Sequence, residues 1–145
     1  MEHMLQVDDV LEDTSTGAFM RVIHMDETSA AVEWTQPPGM PKLAGGQMHA
    51  HRWTQTFEFV SGVGTYTLDD GVYELEPGDT VVIEPGQRHD DPYVCGDEPF
   101  VYVNRIENTV PGHAEDQFLW FATLYGLANE GKLIRSLALP SNPLQ

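Results

Sequence analysis

Residues 46–62 read GQMHAHRWTQTFEFVSG and hold two histidines, His49 and His51, one residue apart, with Gln55 four residues after the second. In an extended strand, side chains two apart point to the same face, so both imidazoles and Gln55 share one side. By itself such a pair is as well explained by structural hydrogen bonding as by metal binding. A second segment, GDTVVIEPGQRHDDPY at 78–93, carries Pro85-Gly86, and His89 follows three residues later, placed to swing toward the first pair. Three neutral imidazoles and one oxygen donor suit a single first-row divalent ion. His3, His24 and His113 fit no such spacing and are expected on the surface or in the core.

The same parity puts Phe57 and Phe59 on the face of Gln55 and turns Thr54, Thr56 and Glu58 outward. A bulge near Arg52 and Trp53 would reverse this and bring Glu58 inside. Glu58, Glu84 and Tyr93 are the nearest acid–base candidates, and each has a structural or surface role as its simpler explanation.

The elements that must hold these residues are short and alternate apolar with polar positions: AFMRVIH, AAVEWT, QTFEFVSG, GTYTLD, VYELE, DTVVIE and PFVYVNRIE, all bounded by Gly, Pro, Asp or Asn. They predict antiparallel strands in a sandwich or closed barrel. Asp-Gly within the DDG at 69–71 is expected to supply positive φ to a tight hairpin. Beyond VPG at 110–112, Phe118, Phe121, Ala122 and Tyr125 recur at helical spacing. The apolar stripe of this helix, 114–130, is wide enough to pack on the barrel and on a second copy, which predicts a homodimer. The division expected is an N-terminal arm (1–16), a barrel (17–110), and a C-terminal helix and tail (111–145).

Seven Lys plus Arg against 23 Asp plus Glu give a net charge of −16. That balance argues against nucleic acid and anionic membranes as partners. Acidic stretches such as TLDDG and HDDPYVCGDE read as solvated surface, and adaptation to high salt is one cause of such a surplus. Cys95 is the sole cysteine, so it has no disulfide partner within the chain and is expected as a small packed hydrophobe in a reducing compartment. The N-terminus lacks an apolar leader and no stretch is long enough to span a bilayer, so the expected location is the cytoplasm.

The histidine segments resemble the cupin motifs. The first motif's frame, His-x-His, three residues, a carboxylate, six residues and glycine, is met by His49, His51, Gln55 and Gly62. The second, glycine, five residues, Pro-x-Gly, two residues, His, three residues and Asn, is met by Gly78, Glu84-Pro85-Gly86, His89 and Tyr93. FEFVSG and LYGLANEGK are similar to stretches of small single-domain cupins. The resemblance implies an all-β, double-stranded β-helix (jelly-roll) barrel with a C-terminal helix. It also implies one divalent transition metal (Fe, Mn, Ni or Zn) on His49, His51 and His89, with Gln55 at the fourth position or bound to a metal-held water. Gln55, Glu84 and Tyr93 depart from the family's Glu, Pro and Asn. Glutamine leaves a divalent ion its full charge, at the cost of affinity. The function expected is that of an oxygenase-like enzyme acting on a small organic molecule, with Phe57, Phe59, Tyr66 and Trp34 as an aromatic lining. The alternatives are a metal-dependent isomerase or lyase, and a non-catalytic barrel that binds or senses a small ligand.

Overall fold

A computed structural model describes residues 4–14, 16–41, 48–108 and 110–119, together with the backbone of 133–134 and 139–140. Nine strands occupy the stretch from 10 to 107: β1 (Val10–Glu12), β2 (Phe19–Met25), β3 (Ser29–Gln36), β4 (Thr54–Ser61), β5 (Gly64–Leu68), β6 (Gly71–Leu75), β7 (Thr80–Ile83), β8 (His89–Val94) and β9 (Phe100–Glu107). They form a six-stranded sheet in the order β1-β2-β3-β9-β4-β7 and a three-stranded sheet in the order β6-β5-β8, with every pairing antiparallel. The expected all-β jelly roll is what the chain forms.

Alternation decides what each strand buries. On β4, Gln55, Phe57 and Phe59 are buried while Glu58 remains partly exposed on the outer face, so no bulge reverses the inward parity. Val22, Val32, Phe57, Phe100, Ile106 and Ile83 from the large sheet meet Leu75 and Val94 from the small one in a single core. Such sheet-on-sheet burial is the main stabilising term for a fold of this kind.

Two strands escape the sequence pattern. β1 is only three residues long, VLE, and pairs only with β2, and β8 reads HDDPYV, with charge and a proline where a strand former is expected. Proline is tolerated because β8 is an edge strand. Two other expectations need correction. The β5–β6 hairpin pairs Leu68 with Gly71, but among the described residues only Asp8 is a non-glycine with positive φ, so Asp69 and Asp70 turn with ordinary φ and Gly71 takes 150°. Cys95 is exposed just after β8, not packed; partial burial of its sulfur and the nearby Glu74 carboxylate push the thiol up, which keeps it protonated.

A helix begins at residue 113 and is described through 119, with Ala114 and Phe118 fully buried against the barrel. Glu115, in its first turn, accepts a hydrogen bond from the Leu5 amide at 2.8 Å and ties the N-terminal segment to it. Most of the apolar stripe expected at 114–130 lies outside the described residues. A two-stranded antiparallel pair, β10 (Leu133–Ile134) and β11 (Leu139–Pro140), follows. No helix among the described residues is long and apolar enough to cross a membrane.

Candidate metal centre

The two histidine segments lie side by side and antiparallel. His49 and His89 form an isolated bridge in which each backbone N–H donates to the other's carbonyl at 2.8 Å, and the Gly86 amide donates to the His51 carbonyl at 2.7 Å. Residues directly opposite in such a pair point to the same face, so the His49 and His89 rings stand 4.4 Å apart, with His51 4.9 Å from His89. One ring nitrogen from each of the three falls within 4.8 Å of the others. Gly86 makes the approach possible: at φ 82°, one residue after Pro85, it closes the turn from Glu84 to Gln87 that returns the chain toward His51.

Backbone carbonyls fix the tautomers. A carbonyl can only accept, so His51 Nδ1 donates to the Trp53 carbonyl at 3.1 Å and His89 Nδ1 donates to the Gln87 carbonyl at 3.0 Å. In the neutral rings both Nε2 atoms therefore carry bare lone pairs. Both face Gln55 Oε1, at 2.8 Å from His51 and 3.1 Å from His89. The Gln55 amide nitrogen is engaged elsewhere, donating to Asn104 Oδ1 at 2.8 Å. Three acceptors thus converge on one point with no proton of their own to share, an arrangement that a cation relieves. Protonation of His89 is opposed first by its complete burial and then by the neighbouring His49 and His51; the Gln87 carbonyl and Asp91 act the other way, and the net effect lowers its pKa. The donor set fits a divalent transition metal.

Trp53 stacks on His51 at 4.6 Å with the ring planes 6° apart, and Phe57 packs 6.4 Å from His89. The cluster grades from open to closed: the His49 side chain is 43% exposed and that of His89 0%.

Residues 35–104 match the family model of the cupin domain. The barrel has the cupin fold. The chain is similar to an uncharacterized conserved protein with a double-stranded β-helix domain from Klebsiella pneumoniae, 27% identical, with 79% of this chain and 94% of that one covered and a TM-score of 0.57. An RmlC-like cupin from Shewanella frigidimarina (23% identity, 75% and 93% covered, TM-score 0.54) shares the fold. So does a sugar phosphate isomerase of the cupin superfamily from Silicibacter pomeroyi (12%, 75% and 76%, 0.59). No curated protein matches the chain.

The cupin motif residues have local reasons. Gly62 sits at φ 76°, and a Cβ there would lie 2.2 Å from the Pro99 carbonyl oxygen. Of the other candidates, Glu58 pairs with Arg105 Nε at 3.5 Å on the outer face, Glu84 is exposed in its turn, and the Tyr93 hydroxyl donates to the Met40 carbonyl. The structure thus gathers His49, His51, His89 and Gln55, and gives Glu58 and Tyr93 partners elsewhere. Of the expected aromatic lining, Phe57, Phe59 and Trp34 belong to the filled core, and Tyr66 stacks on Tyr73 in the small sheet at 5.2 Å.

Sequence reasoning missed Asp91. The run HDDPY reads as solvated surface, yet Asp90 is 8% exposed and Asp91 Oδ1 is buried, 3.5 Å from His49 Nε2 and 3.6 Å from His89 Nε2. Burial would raise the Asp91 carboxyl; contact with His49 and the imidazoles of His49, His89 and His51 outweigh it and hold it below the usual range. The period-two rule that joins His49 to His51 also joins His89 to Asp91 and would have found it.

Proposed function

We propose that this cupin holds one divalent transition metal (Fe, Mn, Ni or Zn) on His49, His51, His89 and Gln55 and is a metal-dependent, oxygenase-like enzyme acting on a small organic molecule. The observation that supports this is the convergence of two bare Nε2 atoms on Gln55 Oε1, all three lacking a donor. A metal bound there would supply Lewis acidity to a substrate oxygen and, for the redox-active ions, an entry for dioxygen.

The protein's own groups define the rest. His89, buried against Phe57, closes the inner side, whereas the exposed edge of His49 leaves an approach from solvent. The carbonyls of Trp53 and Gln87 keep two rings oriented, and Asn104 keeps the Gln55 oxygen turned inward. Because Gln55 is neutral, the site favours a substrate presenting an anionic oxygen, such as an enolate or carboxylate.

Titration calorimetry of Mn, Fe, Ni and Zn into metal-free protein, followed by oxygen uptake with enolisable diketones and flavonoids, tests this. Stoichiometric binding with substrate-dependent uptake is expected. Binding without uptake would remove the oxygenase in favour of an isomerase, a lyase or a sensing barrel, and absence of binding would remove the metal. We also propose a cytoplasmic homodimer with a salt-adapted surface. Its support is the net charge of −16 and the apolar stripe at 114–130. A monomer by light scattering, or a melting temperature that does not rise in molar KCl, would count against the respective part.

A further inference from the structure

We propose that Asp91 is an additional protein ligand of the metal and supplies the negative charge that Gln55 withholds, an inference that rests on the metal reading above. Its Oδ1 is buried and makes no hydrogen bond of normal geometry, yet it faces the Nε2 atoms of His49 and His89 at 3.5 and 3.6 Å. A carboxylate oxygen accepts only, and His89 Nε2 is already bare, so this is a further acceptor turned toward the point on which Gln55 Oε1 converges. Gln55 flanks His89 together with His51, and Asp91 flanks it together with His49.

The strand is shaped to deliver this side chain. Thr65 pairs with Tyr93 and Thr67 with Asp90, so Tyr66 alone faces both Asp91 and Pro92. The extra residue is a β-bulge: His89 and Asp91 keep the ordinary period-two parity before it, and Pro92 and Val94 are buried after it. Beyond it, Gln36 clamps the strand across the sandwich: its amide nitrogen donates to the Pro92 carbonyl at 3.0 Å and its oxygen accepts from the Val94 amide at 2.8 Å. Electrostatics gives the reason. Neutral imidazoles and a neutral amide would leave a buried divalent ion with its whole charge, and an ionised carboxylate in contact halves it.

The test is a double-mutant cycle read as metal affinity. Full-length metal-free wild type, Asp91→Asn, Gln55→Glu, the double variant and His51→Ala are titrated with Mn(II), Ni(II) and Zn(II), after melting curves establish that each is folded. Asp91→Ser substitutes if the asparagine variant does not fold. Asp91→Asn should weaken binding by about 10- to 100-fold or more, and Gln55→Glu should recover most of that loss in the Asp91→Asn background while gaining much less in wild type. The visible absorption of bound Co(II) should shift in Asp91→Asn as well. Binding by Asp91→Asn within about two-fold of wild type, or an equal gain from Gln55→Glu in both backgrounds, would overturn the assignment of Asp91 while leaving the metal intact. Undiminished binding by His51→Ala would instead overturn the metal reading on which it rests.

Discussion

Asp26 and Asp91 are both carboxylates beside histidines, and they differ in what satisfies their oxygens. Asp26, in the turn between β2 and β3, accepts from the Thr28 and Ser29 amides at 2.9 and 2.7 Å, the Ser29 hydroxyl at 3.0 Å and His24 Nε2 at 2.9 Å. These bonds, the two amides first, lower its pKa to about 2. Every requirement of that carboxylate is met by its own turn, so its role is to fix the hairpin. Asp91 has a buried oxygen with no hydrogen bond of normal geometry, facing the Nε2 atoms of His49 and His89 at 3.5 and 3.6 Å. An oxygen held in this way is where a bound cation would supply the counter-charge.

The variants that would break this contrast start with the histidines. His89→Ala should weaken divalent metal binding by more than about 100-fold, since removing a ligand exceeds the effect of altering its support, whereas His24→Ala should leave it unchanged. Equal losses from the two in calorimetry would erase the distinction between the regions. The aspartates come next: Asp91→Asn should lose about one to two orders of magnitude in affinity and Asp26→Asn none, measured in the same titration.

The clamp sharpens the contrast through stability. Gln36→Ala leaves the Pro92 carbonyl and Val94 amide without their partner and should cost about 1–3 kcal/mol in denaturant unfolding. Metal affinity should fall with it, because β8 carries both His89 and Asp91.

The smallest effect belongs to the turn. Asp26→Asn should lose roughly 0.5–1 kcal/mol at neutral pH, a modest figure because Asp26 is open to solvent. Its folded pKa lies below the ordinary 3.8, so the stabilisation is full above that value and vanishes as pH falls toward about 2. Unfolding curves of wild type and variant should therefore converge in acid; a gap that persists at pH 2 would mean that the carboxylate charge is not what fixes the turn.

Much of this was legible in the sequence where a single rule governed a residue. Alternation placed Gln55, Phe57 and Phe59 inside and Glu58 outside, and motif spacing brought His49, His51 and His89 to one end of the barrel. The rule failed where local chemistry and tertiary context disagreed. β8 is acidic and contains Pro92, so propensity hides a strand that is held by β5 on one side and by the Gln36 side chain from β3. The bulge at Asp91 and Pro92 has no sequence signature of its own and appears only when β8 is set against β5. Asn104, which turns the Gln55 amide, lies 49 residues away on β9, a pairing that only the sheet order reveals.

The inward acceptors of this site should surround a cation, and anomalous diffraction from crystals grown with Mn(II) is the decisive experiment. A single strong peak is expected within bonding distance of the Nε2 atoms of His49, His51 and His89 and of Gln55 Oε1, with Asp91 Oδ1 drawn in beside them. Fully loaded crystals with the metal elsewhere, or with the three histidines hydrogen-bonded only to protein and water, would contradict it.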